Sequence, residues 1–457
     1  MTKFFKSNLI IFLLIFFSLF LLANLSLAAT YYVDQNHPNA SDSNPGTEEL
    51  PWKTIQKAAN TVLAGDTVIV KTGNYDERVI LPSGKSGTGS AKITFKAEPR
   101  RTVYMKGFQG DRNDYIRIEG FSIVYDNTGL WLGGGIWLDG NYWEIVDNYF
   151  EVKSVGILPT WQSNRTTNHI YVANNYMYKC NKGFVVGGDG WLVENNEVER
   201  LVYYDQDADY SRFFGTNHII RNNYFHGTRP EEIGSSHTDG FQTFGNNGEC
   251  AKNIIIENNL VKDFHHQSFM MSGDSACHDN IIIRNNVLAD AGAWGICAPG
   301  IKNLKVYNNN FINIGIHGIG FGEIKTISGE TIYTTGEIKN NIFYNAGSDY
   351  WASAGSSFEA SNNLIYHNNK TVNQSSYPND IVNQDPLFVD PANYNFHLQT
   401  NSPAINKGIT ISGFSYDKDG ISRPQGSNWD IGAYEYVETA PQPDTTPPAA
   451  PRNVTII

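Results

Sequence analysis

The stretch Asn253-Ile254-Ile255-Ile256-Glu257-Asn258-Asn259, repeated 27 residues on as Asn280-Ile281-Ile282-Ile283-Arg284-Asn285-Asn286, decides how this chain folds. A short β-branched run reads as a strand, and the Asn-Asn that closes it reads as a bend. The pair returns at Asn174-Asn175, Asn195-Asn196, Asn222-Asn223, Asn309-Asn310, Asn340-Asn341 and Asn362-Asn363, with Asp147-Asn148 as a variant. From Asn174 the first members lie 21, 27, 36, 27, 24, 31 and 22 residues apart. Self-similarity at such a period means coils that stack on one another.

A leucine-rich repeat would need Leu at fixed offsets and a propeller blade a longer unit; neither pattern is present. What remains is an all-β solenoid, a parallel β-helix, whose short strands lie about 4.8 Å from those of the next coil. Asn suits the bend because it tolerates the left-handed backbone region, and stacked Asn amides can hydrogen-bond along the axis. The ladder is expected to be structural rather than chemical.

Residues 1–28 carry the three parts of a secretory signal: Lys3 and Lys6, the apolar run from Leu9 to Ala23, and Ser26-Leu27-Ala28 for cleavage. The mature chain is expected to begin near Ala29 and to work as a secreted monomer, extracellular or periplasmic, with no later membrane span. A net charge of -12 argues against a general nucleic-acid binder, which needs a basic face. Cys250 and Cys277 each precede an Ile-Ile-Ile strand by four residues, so they occupy equivalent places on consecutive coils. A separation near 4.8 Å is within a disulfide's reach, and a Cys250–Cys277 bridge is predicted.

Trp52-Lys53-Thr54-Ile55-Gln56-Lys57-Ala58-Ala59 is amphipathic and precedes the first strands; a helix there would cover the open end of the solenoid. This opening and the Asn ladder resemble the secreted right-handed parallel β-helix proteins of the pectate-lyase-like superfamily. The resemblance implies one right-handed β-helix domain over residues 29–436, with an N-terminal helical cap and a C-terminal fold-back cap. The latter resemblance lies in Asp385-Pro386-Leu387-Phe388, Asn401-Ser402-Pro403-Ala404 and Asp430-Ile431-Gly432-Ala433. Residues 437–450 read as a Pro/Thr-rich linker, and 451–457 resemble the first strand of a truncated fibronectin type III module.

Aligning the strands that follow the bends places Phe184, Phe241, Phe269, Ile296 and Ile319 in the core. Lys182, Asp239, Gln267, Trp294 and His317 then share one outward column, a groove for an extended ligand. Its densest point is Ser235-Ser236-His237-Thr238-Asp239-Gly240-Phe241-Gln242, within the longest interval of the ladder. Insertions on a rigid solenoid are where function concentrates. His237, Asp239, His265 and Arg229 are the expected catalytic residues. Lys182, Gln242, Gln267, Trp294, His317 and Arg212 are the expected substrate-binding residues. Asp205, Asp207 and Asp209 alternate in an acidic loop that could offer oxygen ligands to Ca²⁺.

Ser236-His237-Thr238-Asp239-Gly240 is also similar to the N-T-D-G motif of polygalacturonases. No Asp pair follows on the next rung, however, and Glu323 stands where that family has Arg, so its mechanism is not transferred. β-Elimination from a uronate polymer needs a base and groups that stabilise an enolate, and His237, His265, Lys182 and Arg229 supply both. The expectation is a polysaccharide lyase acting on a uronate-containing polysaccharide. A glycoside hydrolase, a C5-epimerase and a non-catalytic carbohydrate-binding surface protein are the alternatives.

Overall fold

The computed structural model describes residues 28–125, 134–160, 162, 165–204, 207–245, 250–263, 266–274, 277–326 and 328–438. The signal segment (apart from Ala28), Asp205, His265 and the chain beyond 438 lie outside these residues. Among the described residues no helix is long and apolar enough to cross a membrane.

A typical coil has three strands. A representative coil runs Leu192–Glu194, bends at Asn195-Asn196, continues as Glu197–Glu199 and returns through Asp207–Phe213; the next coil starts at Ile219–Arg221, paired in parallel with Leu192–Glu194. The first two faces merge around the Asn bends into a 24-stranded sheet, and the third forms a 12-stranded sheet. The expected parallel β-helix is therefore the fold.

The two members of each Asn pair divide the work. The first adopts φ between +52° and +61° at Asp147, Asn174, Asn195, Asn222, Asn258, Asn285, Asn308, Asn340 and Asn362, where β-branched residues are strained and Asn is tolerated. The second is buried, and its Oδ1 accepts from both the backbone N–H and the Nδ2 of the Asn one coil earlier. Asn196 N and Nδ2 each lie 3.0 Å from Asn223 Oδ1, for example. The chain of amides runs from Asn148 through Asn175, Asn196, Asn223, Asn259, Asn286, Asn309, Asn341 and Asn363, and ends on the carboxylate of Asp380. One register differs from expectation. In Tyr307-Asn308-Asn309-Asn310 the bending pair is Asn308-Asn309, because Asn308 takes the left-handed φ and Asn309 joins the ladder.

Phenylalanines fill the interior and stack between coils, as in Phe241–Phe269 (4.7 Å between ring centres) and Phe311–Phe343 (4.9 Å). The N-terminal helix Ile55–Thr61 forms where the amphipathic stretch placed it. Thr54 Oγ1 caps it by accepting from Lys57 N at 3.1 Å, and Ile55, Ala58 and Ala59 are buried. The C-terminal tail folds back along the flank of the solenoid as far as Asn258, whose carbonyl accepts from Lys418 Nζ at 2.9 Å. Phe388, Phe396, Ala404, Ile431 and Ala433 of the tail cover Val287, Ala289, Ile312, Ile342 and Leu364.

Cys250 and Cys277 are bonded, with Cα atoms 5.4 Å apart and a sequence separation of 27. Closing a loop of that length constrains the unfolded chain by about 3.5 kcal/mol. Reduction, or a Cys250→Ser/Cys277→Ser double variant, is expected to lower the guanidinium unfolding midpoint accordingly.

Candidate functional site

The 12-stranded sheet carries two outward columns. The first reads Lys182, Asp209, Asp239, Gln267, Trp294, His317 and Ser348; the second reads Val185, Arg212, Gln242, Met270, Cys297, Gly320 and Trp351. Strand alternation alone does not produce this, since Lys182 and Phe184 are two apart and would share a side. The glycine between them does. A Cβ on Gly183 would meet Val198 Cγ2 at 3.0 Å, one on Gly240 Val261 Cγ1 at 3.1 Å and one on Gly295 Phe311 Cδ1 at 2.7 Å. Glycine and the residue after it therefore both face the core. The residue before the glycine, and the one two places after it, both face out.

The expected column is thus present, with a member that sequence reading misplaced. Asp209 does not lie in an acidic loop. It belongs to the strand Asp207–Phe213, between Lys182 and Asp239, and is fully buried. Its coil carries Asp209-Tyr210-Ser211 where the neighbours carry a residue followed by Gly-Phe or Ser-Phe, so the pattern did not reveal it. Asp209 and Asp239 occupy the same position on adjacent coils, about 4.8 Å apart at Cα.

Arg212 joins Asp209 to Asp207 of its own strand: Nε donates to Asp209 Oδ2 at 2.6 Å and Nη2 to Asp207 Oδ2 at 3.2 Å. Lys182, also fully buried, donates through Nζ to Asn181 Oδ1 (2.6 Å) and to the Asp207 carbonyl (3.0 Å). Gln242 Nε2 donates to Asp239 Oδ2 at 3.1 Å. Burial, followed by the negative charges of Asp209 and Asp207, pushes the Asp239 carboxyl well above the usual carboxylate range. Burial also raises Asp209, against the opposing pull of Arg212 and Lys182. Asp239 Oδ1, Asp209 Oδ1 and Gln242 Oε1 are buried without a hydrogen-bond partner among the described residues, an uncommon condition in a folded protein.

The remaining candidates fall as follows. His237 is exposed at the start of the Asp239 strand, in register with Asp207. Its ring lies 4.9 Å from that of His266, whose Nδ1 accepts from Thr238 N at 3.1 Å; His265 lies outside the described residues. Arg229 is not brought to Asp239. It is exposed at the head of the short helix Pro230–Ile233, and its charge acts on Glu232, which Arg200 Nε holds at 2.9 Å. The guanidinium of the site is Arg212. The expected Asp205–Asp207–Asp209 calcium cradle is also altered: Asp205 is outside the described residues, and Arg212 already lies between Asp207 and Asp209. Among the described residues the one trio of metal-ligand side chains within 4.8 Å of one another is Glu197, Glu199 and His226, on another face and joined by a 2.9 Å His226–Glu197 hydrogen bond.

Residues 39–83 match a family model described as a protein of unknown function, DUF1565. Over 180 residues, 39% of this chain and 40% of the other, the sequence is 29% identical to pectate lyase PEL9 of Emericella nidulans. The chain spans less than half the length of the curated relatives it matches. Its fold is similar to that of pectate lyase Pel9A (TM-score 0.51, 17% identity, 90% of this chain and 97% of that one). It is also similar to the PL6 family alginate lyase AlyGC (TM-score 0.55, 15% identity, 90% and 59%). These likenesses establish the right-handed parallel β-helix of pectate-lyase-like proteins.

Proposed function

We propose that this right-handed parallel β-helix is a carbohydrate-active enzyme. It binds an extended uronate-containing polysaccharide along the two outward columns and cleaves it by β-elimination, outside the cytoplasm as its signal-like first 28 residues imply. The observation that carries this is the buried Lys182–Asp209–Asp239 column, in which Lys182 and Arg212 serve Asp209 while the carboxyl of Asp239, one coil on, is pushed well above the usual carboxylate range. In β-elimination the C5 proton passes to a base, the bond from C4 to the glycosidic oxygen breaks, C4=C5 forms, and the leaving oxygen takes up a proton. Between these events negative charge accumulates on the sugar carboxylate. Arg212 and Lys182 stabilise that charge, Asp239 protonates the leaving oxygen, and the exposed imidazole of His237 is the base. Likeness to lyases of pectate and alginate supports the same chemistry.

One observation favours hydrolysis as a second reading: two carboxyls on adjacent coils, unequally served by cations, are the parts a retaining glycosidase uses. Incubation with polygalacturonate, alginate and uncharged glycans separates the two. Ultraviolet absorbance from unsaturated sugar ends is the result expected. Reducing ends without that absorbance would establish the hydrolase, and neither product would leave a binding protein.

Arg212 supplies the positive charge between Asp207 and Asp209 that a calcium ion would otherwise bring. Chelator treatment is therefore expected to change the cleavage rate less than twofold, measured before and after added calcium.

A further inference from the structure

Beyond the ionisable part of the groove the same two columns change character. Two coils past Asp239 the first column becomes Trp294 and then His317, and the second ends in Trp351. The three rings touch one another, with centres 4.4 Å apart for Trp294–His317, 5.7 Å for His317–Trp351 and 6.0 Å for Trp294–Trp351. They are mutually tilted by 53–57°, so they form a shallow cup rather than a stack. Each is only half-buried.

Gly320 makes the cup possible. A Cβ there would run into Trp294 Cζ3 and would lie 3.1 Å from both Trp294 Cε3 and Trp351 Nε1. With no side chain at Gly320, the Trp294 indole lies over that position in the second column and stays half-exposed. No acidic or basic side chain occurs on these rungs of the two columns, apart from His317, whose burial lowers its pKa and so disfavours the charged ring. An uncharged aromatic surface continuous with a charged cleavage site selects the apolar C–H face of a sugar ring rather than its carboxylate.

We propose that Trp294, His317 and Trp351, laid over Gly320, form a remote sugar-binding subsite that holds a pyranose unit of the same polysaccharide by its ring face. This rests on the cleavage reading for the direction of the chain, since the cup lies two to four coils, about 10–19 Å, from Asp239 along the axis. A chain of two or three sugar units engaged at Asp239 does not fill the cup. Longer chains do.

Titration calorimetry with oligogalacturonates of two to six units, on an Asp239→Asn background to prevent turnover, tests this. Affinity is expected to rise about tenfold once the chain reaches the cup. The step should vanish in Trp351→Ala and in Gly320→Val, which keeps all three rings but lifts Trp294 from the floor, and should survive in Trp351→Phe. Affinity without a step, or a step that outlasts both disruptive variants, overturns the proposal. Failure of the cleavage reading looks different: the length step and its loss in the variants would persist while the unsubstituted enzyme releases no product. Conversely, cleavage equally efficient for short and long chains would remove the cup and leave the catalytic site standing.

Discussion

Asp239→Asn is expected to lower the turnover of the polysaccharide roughly a thousandfold, the scale of a lost general acid, while leaving the protein folded and no less stable. The amide keeps the shape and can still meet Gln242, but it has no proton to give to the leaving oxygen. Because Asp239 acts in its protonated form and burial beside Asp209 and Asp207 raises its pKa, the wild-type rate should fall as pH rises through that elevated value. Stability follows the same sign. A carboxyl that binds its proton more tightly folded than unfolded contributes stability fully below the ordinary carboxylate pKa, and that contribution disappears as pH climbs through the folded value. The variant has no such loss, so its melting temperature should exceed the wild type's in mildly alkaline buffer and converge with it in acid. A folded variant that keeps its rate would remove Asp239 from the chemistry.

Asn223→Ala should have the largest effect on stability. Its Oδ1 receives the Asn196 N–H and Nδ2, and its Nδ2 donates to the Val193 carbonyl at 3.1 Å and to Asn259 Oδ1 at 3.0 Å. Truncation leaves these partners buried and unpaired. At about 1–3 kcal/mol for each group left unsatisfied, less whatever relaxation or water recovers, the expected loss is about 3–5 kcal/mol. Asn222→Ala, by contrast, loses mainly the tolerance of φ +54°, a cost of about 1–2 kcal/mol. Guanidinium unfolding of the two variants should show that ordering; equal losses would mean that the bend, rather than the amide ladder, holds the coils together.

The fold was legible because one backbone demand recurs: each bend needs a residue at positive φ followed by a buried amide, and Asn serves both. The Cys250–Cys277 bond and the N-terminal helix were legible for equally local reasons. The site was only partly so. Lys182, Asp239, Gln267, Trp294 and His317 each precede a small residue that faces the core, Gly or Ser268, followed by Phe or Ile, which exposes their register. Asp209 and Trp351 lie in Asp209-Tyr210-Ser211 and Asp349-Tyr350-Trp351, which lack that signature, so the pattern assigns Asp209 to an acidic loop and gives Trp351 no place. Arg229 looked close to Asp239 along the chain, yet the helix Pro230–Ile233 packs toward Arg200, because Glu232 pairs there. The number of residues per coil varies with loop length, and a pattern without fixed spacing cannot report which way an inserted loop turns.

The amide chain that ends at Asp380 has one further consequence. A carboxylate only receives, so the final Asn363 finds its acceptor without demanding another donor beyond it. Every intermediate link looks the same to the links on either side. Whole coils can therefore be duplicated or excised by recombination, and the seam heals with the same pair of hydrogen bonds. A descendant gene encoding a longer or shorter barrel would keep both termini unchanged, and lineages of this architecture are free to adjust the reach of their groove by copy number rather than by point substitution.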